Sequence, residues 1–221
     1  MRHIQGREKA RPRVGFLSRA SIACSLAVGV FLTVFTGFGV FAASPAQAWC
    51  NIGVNRWQYN GYTLHVQTSI PAAWNTAISN SRAGWNNVSG SALVYYSPQF
   101  NDNNPNVSFL MYQINFSSIG LQDIPGNTYN NSAPPSATHS YSAVRLNSTW
   151  TWNTSGTMNQ SQKKADVQTV TMHEIGHSSG LHHPSVCGSM TSAEIAAVMN
   201  PQYVKKWAIN SDDRAGLAAL Y

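Results

Sequence analysis

Apolar and polar positions alternate from Tyr62 to Thr68, with Tyr62, Leu64 and Val66 on one face, and this predicts a β-strand. After Pro71 the period lengthens. Ala73, Trp74, Ala77, Ile78 and Trp85 fall at roughly helical spacing and predict a helix over 71–87, opened by the proline and closed by Asn86-Asn87 and Ser89-Gly90. Ala92 to Ser97 reads as a second strand. Val107 to Gln113 reads as a third, apolar on both faces and therefore interior to a sheet. From Asn115 to Thr138 the chain is rich in Gly, Asn, Pro and Ser and has no period. A long unpatterned stretch inside a compact domain is usually functional or disordered. Alternation returns from Tyr141 to Asn147, a helix is predicted over 161–179, and a last helix over 211–221 carries Asp212 and Asp213 in its first turn, where they suit the helix dipole.

The first 48 residues have a different pattern. Arg2, Arg7, Lys9, Arg11, Arg13 and Arg19 face one acid, Glu8; an uncharged apolar run from Ile22 to Ala43 follows, and then Ala46-Gln47-Ala48. Basic segment, apolar segment and small-x-small tripeptide in that order predict a secretory signal peptide over 1–48, leaving 49–221 as a single domain that is exported and extracellular. The competing reading is a retained membrane anchor, since the run of 22 residues is long enough to span a bilayer. With cleavage, no membrane attachment is expected.

Removing the leader changes the charge argument. The formal charge of the whole chain is +6, but 49–221 keeps eight Lys/Arg against seven Asp/Glu, a net +1. No nucleic-acid partner is expected from so small a surplus. Of three cysteines, Cys24 lies in the leader. Cys50 and Cys187 remain, and an even count in an exported chain predicts one disulfide between them.

The candidate chemistry is concentrated in His173-Glu174-Ile175-Gly176-His177-Ser178-Ser179-Gly180-Leu181-His182-His183. Two histidines four apart on a helix project from one face, the spacing at which two imidazoles can share one Zn²⁺. Glu174 points about 100° round the helix and is placed to serve as a base for water rather than as a ligand. Gly180 permits a left-handed turn that ends the helix, so that a third histidine can approach the metal from the other side. His183 is the expected third ligand; His182 is the alternative. Three protein ligands leave one position open, the mark of a catalytic rather than a structural zinc. The zinc would polarise a carbonyl and acidify a water whose proton Glu174 takes. The other reading is a non-catalytic extracellular binding module that uses zinc only for stability.

His-Glu-x-x-His-x-x-Gly-x-x-His, followed sixteen residues later by Met199 in Ala197-Val198-Met199-Asn200-Pro201, resembles the metzincin signature. Within that clan, Met199-Asn200-Pro201-Gln202-Tyr203 is similar to the Met-x-Pro-x-Tyr segment of matrixins, as Asn210-Ser211-Asp212-Asp213 is to their last helix. The resemblance implies a secreted zinc endopeptidase with an α+β fold: a twisted mixed sheet of four or five strands with one antiparallel edge strand, an active-site helix beneath it and a C-terminal helix. It implies that Met199 forms a floor under the metal, that Pro201 and Tyr203 wall the pocket for the P1′ side chain, that paired aspartates support the methionine turn, and that Ala143–Asn147 runs at or beside the sheet edge. It implies an extended peptide or protein substrate bound to a monomer, and one catalytic Zn²⁺. Ca²⁺ is weighed as a second ion, with Asp102 and Asp123 as the only obvious hard ligands. Lys205, Lys206 and Trp207, next to the same pocket, suggest an acidic or polar P1′ residue.

Overall fold

The computed structural model describes residues 56–132 and 138–221. The expected signal peptide and Cys50 lie outside the described residues. In chain order the elements are β1 (Arg56–Trp57), β2 (Gly61–Val66), α1 (Asn75–Ala83), β3 (Val94–Phe100), β4 (Phe109–Ile114), β5 (Gly126–Asn130), β6 (Thr138–His139), β7 (Ser142–Asn147), β8 (Thr151–Asn153), β9 (Lys164–Asp166), α2 (Val167–Ser178), α3 (Ser192–Ala196) and α4 (Ser211–Leu220).

Five strands form one mixed sheet in the order β3-β2-β4-β7-β5. The first four run parallel; β5 is antiparallel to β7, with Thr128 opposite Val144. The expected α+β sheet with one antiparallel edge strand is therefore present. The edge strand is β5, and β7, which carries Ala143–Asn147, lies beside it. β5 falls in the stretch that carries no hydrophobic period.

Two helix boundaries also move. The stretch predicted as one helix over 71–87 is a short 3-10 turn at Ala72–Trp74 followed by α1, which ends at Gly84. Beyond it Trp85 turns inward, fully buried, and its indole Nε1 donates to Met172 O at 2.9 Å. The helix predicted from 161 starts at 167. Residues 164–166 pair with β8 instead, and extended Asp166 caps α2 by accepting from Thr169 N at 2.8 Å.

The core sits between the sheet and helices α1 and α2, with Leu64, Ile78, Trp85, Phe109, Met111, Leu146 and Ile175 all closed to solvent. A helix covered on several sides needs polar side chains that satisfy one another. Ser81 Oγ donates to Gln168 O at 2.8 Å, Ser142 Oγ donates to Ser178 Oγ at 2.9 Å, and Tyr95 Oη meets Ser179 Oγ at 2.7 Å. These contacts fix α2 in rotation, and so fix where its histidines point.

Candidate metal centre

His173 and His177 project from one face of α2, one turn apart, with ring centroids 4.7 Å apart. The helix ends as Gly180 takes φ +91°, the left-handed region open to glycine at little cost. The chain then turns back, and His183 Nε2 comes to 3.0 Å from His173 Nε2 and 3.1 Å from His177 Nε2. Among the described residues this triad is the one His/Cys/Asp/Glu group whose donor atoms converge on a single point. His182 lies outside the triad; its ring is 6.4 Å from that of His177.

The second nitrogens of two rings decide the tautomer. His173 Nδ1 lies 2.8 Å from Val198 O, and His177 Nδ1 lies 2.8 Å from Leu181 O. A carbonyl can only accept, so each Nδ1 carries the hydrogen and each Nε2 presents a lone pair to the centre. Burial keeps these rings neutral. It lowers His173 to about 4 and His177 well below the ordinary imidazole value, with neighbouring imidazoles adding to both. Two lone pairs thus face His183 Nε2, and the three nitrogens lie within 4.8 Å of one another, an arrangement that a cation between them would satisfy. Nitrogens at 2.0–2.1 Å from a tetrahedral Zn²⁺ sit roughly 3.3 Å apart. The two separations to His183 are close to that spacing, and the all-imidazole donor set suits zinc.

Glu174 is buried beside the triad, and desolvation raises its carboxyl from 4.5 to about 7. Its Oε2 accepts from Thr128 Oγ1 at 2.8 Å. Met199 is buried with its sulfur against Gly176, on the helix between the two histidines, so close that a Cβ at 176 would overlap it. The turn that carries Met199 is held from two sides. Asp213 accepts from Val198 N at 2.9 Å and from Met199 N at 3.1 Å. From the other side, Lys206 Nζ donates to Ala197 O and, at 2.7 Å, to Asn200 O. Asp212, the other member of the pair, makes no bond to the turn's N–H groups.

A cavity of about 360 Å³ opens beside the triad, lined by Glu174, Val170, Met158, Pro201, Tyr203 and Lys206 among others. Tyr203 stacks on Trp150 at 5.9 Å between ring centroids, which fixes that wall. Pro201 and Tyr203, the residues expected to wall the P1′ pocket, both line this cavity. Of the three residues expected beside it to favour an acidic or polar P1′ side chain, Lys206 lines it. Two N–H bonds of the buried Lys206 ammonium are taken up by the methionine turn, Lys205 Nζ lies 3.5 Å over the Trp207 ring, and Trp207 Nε1 donates to Asp166 Oδ1 at 2.8 Å.

Asp102 and Asp123, weighed for calcium, do not meet. Asp102 contacts His65 Nδ1 at 2.6 Å and Asn104 N at 2.9 Å, and Asp123 pairs with Lys163 at 3.3 Å. The residues that sequence reasoning missed are on β5. Gly126, Thr128 and Asn130 face α2 at every second position, a period-2 signal written in polar and small residues. A sequence model of one protein family, Matrixin, matches residues 56–221. No curated protein matches the chain.

Proposed function

The chain belongs to the matrixin family, whose members are zinc metalloendopeptidases, and from that premise we propose that it is an exported endopeptidase in which His173, His177 and His183 hold the zinc and Glu174 is the general base. The convergence of His173 Nε2 and His177 Nε2 on His183 Nε2, at 3.0 and 3.1 Å, carries the reading. Bound there, zinc would acidify a water and polarise the scissile carbonyl. Every other task falls to the chain's own groups. Glu174, in the cavity wall, takes the proton of the attacking water and gives it to the amine as the C–N bond breaks. A carboxyl raised to about 7 suits both halves of that exchange at neutral pH. The exposed margin of β5 supplies a strand to which an extended peptide adds by backbone pairing. The P1′ side chain enters between Pro201 and Tyr203. Met199, behind α2, keeps the ligand helix at a fixed depth.

Export and maturation belong to the same proposal. Residues 1–48 are removed as a signal peptide, the remainder acts as a monomer on extracellular proteins, and Cys50 pairs with Cys187. That Cys187 is disulfide-bonded supports the pairing. Closing so long a loop would stabilise the domain by up to about 4–5 kcal/mol in the chain-entropy model. Asp102 and Asp123 give no support to a calcium ion.

One preparation tests the whole proposal. Protein recovered from the growth medium should begin near Trp49, hold no free thiol and one zinc per chain, and cleave casein until a chelator is added. His183→Ala should lose zinc and activity, and His182→Ala should keep its zinc. A zinc-free protein, or cleavage indifferent to the chelator, would sink the reading.

A further inference from the structure

We infer that the inner face of β5 is a positioning rack for Glu174, with Thr128 as the residue that holds its carboxylate. The inference rests on the reading of Glu174 as general base. Three alternate residues of the edge strand point at α2. At Gly126 an added Cβ would lie 2.8 Å from Glu174 Oε1 and 2.6 Å from Val170 Cγ1, so the bare glycine is what leaves room for the carboxylate. Thr128 Oγ1 lies 2.8 Å from Glu174 Oε2 and also 2.8 Å from Glu174 O. Asn130 Nδ2 donates to His177 O at 3.2 Å, tying the strand to the last turn of the ligand helix. One carboxylate oxygen is thus confined by space and the other by a hydrogen bond.

The Thr128 hydroxyl has one hydrogen and two lone pairs. With Glu174 ionised, the hydroxyl hydrogen goes to Oε2. Once Glu174 has taken a proton from water, leaving hydroxide to bond to the carbonyl carbon, its new O–H can donate to Thr128 Oγ1, whose own hydrogen turns to Glu174 O. The proton then leaves Glu174 for the amine nitrogen as the C–N bond breaks, and the hydroxyl turns back. Thr128 therefore partners both forms of the base without any movement of the backbone. Because β5 is also the strand a peptide would pair with, the same element sets the substrate and the base in register. Thr128 touches no reacting atom and acts through Glu174.

The test compares Thr128→Val, Thr128→Ser and Gly126→Ala in full-length-expressed, zinc-loaded protein. Valine keeps the shape and β-branching but has no hydroxyl; serine restores it. Thr128→Val should lower kcat by about 10- to 100-fold with KM, zinc content and Tm near wild type, and Thr128→Ser should recover most of that loss. Gly126→Ala, which displaces the carboxylate instead of unpinning it, should lower kcat likewise. The independent readout is the Glu174 side-chain rotamer in zinc-free protein, followed by NMR. It should be single in wild type and Thr128→Ser and mixed in Thr128→Val. An unchanged kcat in Thr128→Val, a loss that serine does not recover, or a single rotamer in the valine variant would overturn the inference. A wild type with no peptidase activity but the expected rotamer pattern would instead overturn the proposed function and leave the rack standing.

Discussion

Glu174 carries a cost that its neighbours only partly offset. Burial raises its carboxyl to about 7, against the opposing pull of the Thr128 hydrogen bond and of Arg145. In the unfolded chain it would titrate near 4.3. The folded form holds the proton more tightly, so this group's contribution to stability is full below about pH 4.3 and is lost as pH rises through about 7. The shift is worth on the order of 3 kcal/mol. The histidines act in the opposite sense. Burial depresses them, so their contribution is present above about pH 6.5 and is lost as pH falls. In zinc-free protein Glu174→Gln should therefore raise Tm over wild type at pH 8, and the gap should close by pH 4.5; a gap independent of pH would contradict this. The residues of the triad were readable because helix geometry alone puts positions 173 and 177 on one face, and a glycine stop after them leaves few ways for the chain to return. His183 could be preferred to His182 on spacing, and the geometry agrees. Thr128 could not be found that way. Its role exists only once β5 is laid against α2, 46 positions further along the chain.

At the scale of elements, the sequence was clearest where burial writes a period. β2, β4, β7 and α4 have the predicted places to within a few residues. β5 was invisible because its inward positions are Gly126, Thr128 and Asn130, which meet the polar groups of α2 rather than the core. An active-site strand that serves a carboxylate cannot also show hydrophobic alternation. The start of α2 was misplaced for a related reason. Asp166 is fully buried; besides capping the helix through Thr169 it accepts from Gly156 and Trp207, so distant chain helps to hold the cap in place. The methionine turn is the other element held from afar. Its N–H groups go to Asp213 on α4, which also accepts from Asn210 N, and its carbonyls go to Lys206. Asp213→Ala would leave buried donors unpaired and the Lys206 ammonium with no facing carboxylate. We expect a loss of about 2–4 kcal/mol in chemical denaturation. Because Val198 O orients His173, zinc affinity should fall with it. A variant as stable as wild type, with undiminished zinc affinity, would show that the turn supports itself.

For the molecule as a whole, the division of labour follows the position of α2. Above it the sheet ends in β5, a strand with one margin paired to β7 and the other at the rim of the cleft. Below it the chain after Gly180 returns with His183 and the methionine turn. The family match covers both halves, 56–221, and so spans every residue assigned a role at the metal centre. Of the full chain's formal +6, a net +5 belongs to the first 48 residues. The central claim is that this cleft hydrolyses peptides with a carboxylate base beside a three-histidine zinc. Its most direct test is Glu174→Gln, which keeps the side chain's size but removes the base. Loaded with zinc and given a quenched fluorescent peptide, the variant should bind as much zinc as wild type and turn over about 10²–10⁴-fold more slowly. Equal turnover at equal zinc would contradict the account.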